Sequence, residues 1–121
     1  MSQADWAPPT FKNNYFLVYL SDMPNAQRSK HQEAHLKHNL SLIQNETIKA
    51  GGALLAPTSK TSDPDALENV TGSWFVLRAE TIETAWDIVK QDPFYASGEV
   101  WDQERITVTP AYTAIQEVKF D

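Results

Sequence analysis

Apolar positions fall along the chain in two periods, and the alternation between them sets the predicted elements. Tyr15-Phe16-Leu17-Val18-Tyr19-Leu20 is a compact run of β-favouring residues and predicts a buried first strand. Ser21 to Asn25 supply turn chemistry, and a helical pattern follows from Gln27 to Ala50, with Gly51-Gly52 as its expected stop. Within that helix Leu36, Leu40, Ile43 and Thr47 share one stripe, which is expected to face the core. Ala53-Leu54-Leu55-Ala56 and Ser73 to Ala79 read as the second and third strands. The polar stretch Pro57 to Gly72 between them is either a mobile lid or an elaborated surface turn.

Thr81 fits an N-cap, and Ile82, Trp86 and Val89 form the apolar face of a second helix. Pro93 ends that helix by disfavouring helical geometry at Asp92. Glu104 to Thr109 alternates with period two and predicts a fourth strand closed by Pro110. The order β-α-β-β-α-β predicts an α+β, ferredoxin-like domain with an antiparallel sheet. It divides the chain into an irregular leader over 1–14, a domain over 15–112 and an arm over 113–121.

At 121 residues with 41% hydrophobic composition, one domain with a real core is expected. Ten Lys and Arg against sixteen Asp and Glu give a net charge of −6, with no basic patch, so nucleic acid is not an expected partner. No stretch approaches a bilayer-spanning length, and Met1 to Asn14 lack the pattern of a secretory signal, so a cytoplasmic protein without a membrane partner is expected. Zero cysteines exclude disulfides and thiolate catalysis, and the sequons at Asn39, Asn45 and Asn69 read as chance.

Candidate chemistry concentrates in the first helix. His31, His35 and His38, all the histidines of the chain, are spaced i, i+4, i+7 and share a helical stripe. His31 and His38 are expected to point away from the core, in solvent or at a dimer contact, and His35 to lie at the flank of the apolar stripe. Two histidines at i, i+4 could chelate zinc with the third as a further ligand, but Glu33 lies round the wheel from His35 and no His-Glu-x-x-His motif is present. No metal and no cofactor are therefore expected.

Several short motifs, in order, resemble the YCII-related proteins, a family within the dimeric α/β barrels. They are Ala34-His35-Leu36, the Gly51 to Pro57 stretch, Thr71-Gly72-Ser73, Asp92-Pro93-Phe94 with Ala96 and Gly98, and a last strand ending at Pro110. The resemblance covers Tyr15 to Tyr112 and implies a homodimer whose sheets pack into a barrel, with a site built from His35 and Asp92. The family pattern also carries arginines seven and three residues before that histidine. Arg28 fills the first place and Gln32 stands at the second, a departure that weighs against an anionic substrate.

An Asp-His pair suits general-base chemistry, because the carboxylate fixes the imidazole tautomer and stabilises the imidazolium formed on proton abstraction. The expected activity is a cofactor-free lyase or isomerase acting on a small cyclic carbonyl or phenolic compound. His35 would be the base and Asp92 its orienter, with Arg28, Ser73, Phe94 and Tyr95 contacting the substrate. Tyr15, Tyr19, Trp74, Trp86 and Trp101 are read as core-filling. The alternatives are a non-catalytic small-ligand-binding or dimerisation module, a buried hydrogen-bonded pair that only orders the core, and a haem-degrading monooxygenase-like role on the same fold.

Overall fold

The computed structural model describes residues 6–121, and its main strands and helices follow in the order the pattern predicts. The elements are β1 (Tyr15–Asp22), α1 (Arg28–Gln44), β2 (Ile48–Leu55), a 3-10 turn (Ala66–Glu68), β3 (Val70–Arg78), α2 (Ile82–Gln91), the short α3 (Pro93–Ala96) and β4 (Trp101–Pro110). The strands form one antiparallel sheet in the order β2-β3-β1-β4, the ferredoxin-like arrangement. Among the described residues no helix is long and apolar enough to cross a membrane.

Strand alternation places the core. Phe16, Val18 and Leu20 of β1 and Phe75 and Leu77 of β3 are buried beneath the helices, where Val89, Phe94 and Trp101 meet them. On the opposite face of the sheet Leu17 and Tyr19 remain 46% and 49% exposed. An apolar sheet face open to this degree is unusual for a strand at the centre of a sheet.

The first helix departs from its predicted form in length and in orientation. It ends at Gln44, where Glu46 adopts a left-handed conformation (φ 64°) and Asn45 Oδ1 accepts the N–H of Thr47. Gly51 and Gly52 lie within β2 instead of stopping the helix, and β2 begins at Ile48. Glycine is needed there for packing, since a Cβ on Gly51 would stand 2.8 Å from Phe75 Cδ1.

The predicted inward stripe is turned outward: Leu36, Leu40 and Ile43 are 56%, 54% and 54% exposed. The buried residues of α1 are His35 and Asn39, so this helix offers the core a polar face, paired internally. The second helix behaves as its sequence dictates. Thr81 caps it by accepting the N–H of Thr84, Val89 is buried, and Ile82 and Trp86 pack against the core.

The stretch from Pro57 to Asn69 is a closed surface turn at its base, where the Ala56 N–H donates to Asn69 O, and β3 begins at Val70. β4 likewise starts earlier than its alternation predicts, at Trp101. The residues after Pro110 form no regular element. Tyr112 nevertheless packs edge-on to Phe11 of the leader and donates its hydroxyl to Pro9 O.

Candidate active site

Asp92 stands where α2 gives way to α3, and local sequence dictates its conformation. Preceding Pro93, it is held extended at φ −66° and ψ 134°, and its Oδ1 caps α3 by accepting the N–H of Phe94 at 2.8 Å. The same carboxylate faces His35 Nδ1, with Oδ1 and Oδ2 at 2.8 and 2.9 Å. Histidine and aspartate are 8% and 3% exposed, so the bond is shielded from water. With the carboxylate already accepting a backbone N–H, the proton between them belongs on Nδ1, which leaves Nε2 of the neutral ring with its lone pair.

Three neighbours fix the plane of the imidazole. Phe94 stacks on one face at a centroid distance of 3.7 Å and an interplanar angle of 3°. Trp101 meets it edge-on at 5.8 Å. The Asn39 amide nitrogen is 3.2 Å from Nε2 and 3.3 Å from Nδ1. The two ring nitrogens point in diverging directions, and one donor cannot lie along both. The amide therefore rests against the ring, on the face Phe94 leaves free, and does not occupy the Nε2 lone pair in line.

The imidazole reaches a groove of about 760 Å³ between α1 and the edge strand β2. Its walls include Leu36, Leu40 and Ile43 from the exposed stripe and Gly51, Gly52 and Ala53 from the strand, with Ser73 and Phe75 beyond. The outward stripe thus has a place in the site: it forms the apolar wall opposite a strand whose small residues leave room.

Arg28 lines the groove but is already engaged. Its Nε and Nη2 donate to Asp22 at 2.5 and 2.8 Å, Nη2 also donates to Ser73 Oγ at 3.1 Å, and the guanidinium lies 5.1 Å from the centre of the Phe94 ring. Phe94 is fully buried behind His35, and Tyr95 packs against the core and is not among the groove-lining residues.

The other histidines separate from His35. His31 Nε2 lies 3.0 Å from Glu99 Oε1, which Lys30 Nζ also approaches at 3.0 Å. His31 is thus tied to a neighbouring element instead of facing open solvent. His38 is half-buried, and among the described residues its Nε2 has no hydrogen-bond partner. Among the described residues no three His, Cys, Asp or Glu side chains converge as a metal-binding group.

Sequence reasoning did not assign Asn39 or Asp22 to the site, and it read Trp101 as core-filling. Asn39 carried a readable signal, since it is one turn from His35 on the same stripe. The others meet the site only through the fold.

Strand order and the polar pair between the first helix and the start of α3 put the chain in the ferredoxin-like class of α+β proteins. Within that class it belongs to the YCII-related domain family, whose model matches residues 15–109. A solved relative is 5-chloro-2-hydroxyhydroquinone dehydrochlorinase from Burkholderia phenoliruptrix AC1100, determined in complex with 2,5-dihydroxybenzoquinone. It superposes with a TM-score of 0.62 at 28% identity, over 78% of this chain and 89% of that one. A curated relative from Emericella nidulans, the derivative of benzaldehyde biosynthesis cluster protein C, is 34% identical over 67 residues, covering 55% of this chain and 66% of that protein. The chain therefore spans just under two thirds of that relative's length.

Proposed function

We propose that the chain is a cofactor-free lyase or isomerase of small cyclic carbonyl or phenolic compounds, with His35 as general base and Asp92 as its orienter. The observation that carries this reading is the buried Nδ1–carboxylate bond of a histidine that lines an apolar groove. In the proposed step Nε2 takes a proton from a hydroxyl group, or from a carbon next to a carbonyl. The bonding pair moves into the ring system, and either a leaving group departs with its own pair or the proton returns at another carbon. Asp92 stabilises the resulting imidazolium without itself accepting the proton. Such a step needs no nucleophile and no redox partner.

The dehydrochlorinase relative supports this reading, since its named reaction removes a proton and a chloride from a hydroxylated ring. The benzaldehyde-cluster relative supports an aromatic ligand. We further propose that a second copy covers the half-exposed Leu17 and Tyr19 face, giving a homodimeric barrel, and that the protein acts in the cytoplasm.

The test is turnover of 5-chloro-2-hydroxyhydroquinone and related hydroxylated rings, followed by ring absorbance and chloride release. Catalysis by the wild-type protein that is lost in His35→Ala supports the reading. Binding of these compounds with no turnover by the wild-type protein would instead establish a ligand-binding module.

A further inference from the structure

The groove between α1 and β2 is lined by charge of one sign. Sixteen Asp and Glu outnumber ten Lys and Arg in the chain, yet the permanently charged side chains that border the groove are Arg28, Lys37 and Lys49. No carboxylate among the described residues borders it. A concave site with apolar walls focuses such a field, so an acidic protein concentrates anions at this one place.

The three cations are not equivalent. Arg28 is neutralised by Asp22 at 2.5 and 2.8 Å. Lys49 meets Glu46 at 3.2 Å, but these side chains are 37% and 66% exposed, so water screens the pair. Lys37 takes part in no ion pair among the described residues. Both lysines are therefore free to meet an anion, one from the α1 wall and one from the β2 wall.

Strand register separates this charge from the imidazole. Ser73, bonded to the same Trp101 that meets His35 edge-on, marks the imidazole end, and it pairs with Ala53 of β2. Lys49 precedes Ala53 by four residues, about 12 Å along the strand. The apolar side chains of Leu40 and Ile43 wall the groove between helix and strand, and its volume of about 760 Å³ suits a ligand longer than one hydroxylated ring.

We propose that the ligand of this groove is a hydroxylated aromatic acid, with its ring hydroxyl at His35 and a carboxylate, carried off the ring on an apolar spacer, bound by Lys37 and Lys49. The proposal rests on the groove being the ligand site proposed above and adds the class of substrate. Gln32 at the second arginine place of the family pattern weighed against an anionic ligand, and the lysines supply the missing charge at the other end of the groove.

The probes are 3-(4-hydroxyphenyl)propanoic acid and its amide, which share the ring and spacer and differ in charge, with binding followed by tryptophan fluorescence. The wild-type protein is expected to bind the acid about tenfold more tightly than the amide, and high salt to erase the difference. Lys37→Met is expected to remove most of this preference and Lys49→Met part of it, while Lys37→Glu reverses it. These side chains are at the surface, so folding is retained. Leu40→Ser is expected to weaken both probes alike, which reports whether the ring occupies the groove. Turnover is not read, so the result is independent of whether His35 is the base. Equal binding of acid and amide by the wild-type protein overturns the carboxylate assignment. So does a preference that survives the double variant Lys37→Met with Lys49→Met. If Leu40→Ser leaves both affinities unchanged, the groove reading itself fails, and the proposal with it.

Discussion

Asp92 and His35, 57 residues apart in the chain, are joined by one carboxylate that also caps α3 through the N–H of Phe94. A single side chain therefore sets the start of a helix and the tautomer of the imidazole, and the ring of the capped residue stacks on that same imidazole.

Replacing Asp92 separates these tasks. Asp92→Asn keeps an oxygen for the Phe94 N–H but weakens the hold on Nδ1–H, so turnover is expected to fall about 10²- to 10⁴-fold with a small loss of stability. Asp92→Ala removes the cap and leaves a buried Nδ1–H unpaired, and is expected to cost about 2–4 kcal/mol in urea denaturation.

Glu99 makes stability depend on pH on the acid side. The Lys30 ammonium, and after it His31, hold its carboxyl below the ordinary value of 4.5. The folded state thus binds this proton less readily than the unfolded chain. Its contribution is fully present above the ordinary value and is lost as pH falls through the lower folded one. Denaturant midpoints measured across this range are expected to show a slope that Glu99→Gln reduces and high salt flattens.

Glycine at two strand positions is a packing requirement. Gly51→Ala brings a methyl against Phe75 Cδ1, and Gly72→Ala drives one into the Leu20 carbonyl oxygen. The first is expected to cost about 1–3 kcal/mol, and the second more, because the backbone of β1 cannot yield as a ring can. Thermal unfolding of the two variants checks the order.

The proposed homodimer depends on the open face of the sheet. Leu17→Lys with Tyr19→Glu places two charges there, and native mass spectrometry is expected to show a wild-type dimer and a monomeric double variant. A wild-type monomer would contradict the proposed assembly.

Much of this architecture was legible in local sequence. The β1 run, the Thr81 cap and the Asp92-Pro93 break each act within a few residues, and the structure retains all three. The first helix was misread because its apolar stripe and its buried face are adjacent. Leu36, Leu40 and Ile43 wall a groove, and the core face holds His35 and Asn39, a polar pair that periodicity counts as surface. Gly51-Gly52 carries the composition of a helix stop, yet Phe75, 24 residues away in sequence, explains it as strand. The pairing of His35 with Asp92 was reached through family resemblance, whereas the linkage of Asp22, Arg28, Ser73 and Trp101 arises from strand register.

The most direct test of the account is a double-mutant cycle in turnover number for His35→Ala and Asp92→Asn on a hydroxylated ring substrate. If Asp92 acts by orienting His35, the single His35 variant is slowed by about 10²- to 10⁴-fold and adding Asp92→Asn slows it no further. Penalties that multiply, or a His35→Ala enzyme that retains the wild-type rate, would contradict it.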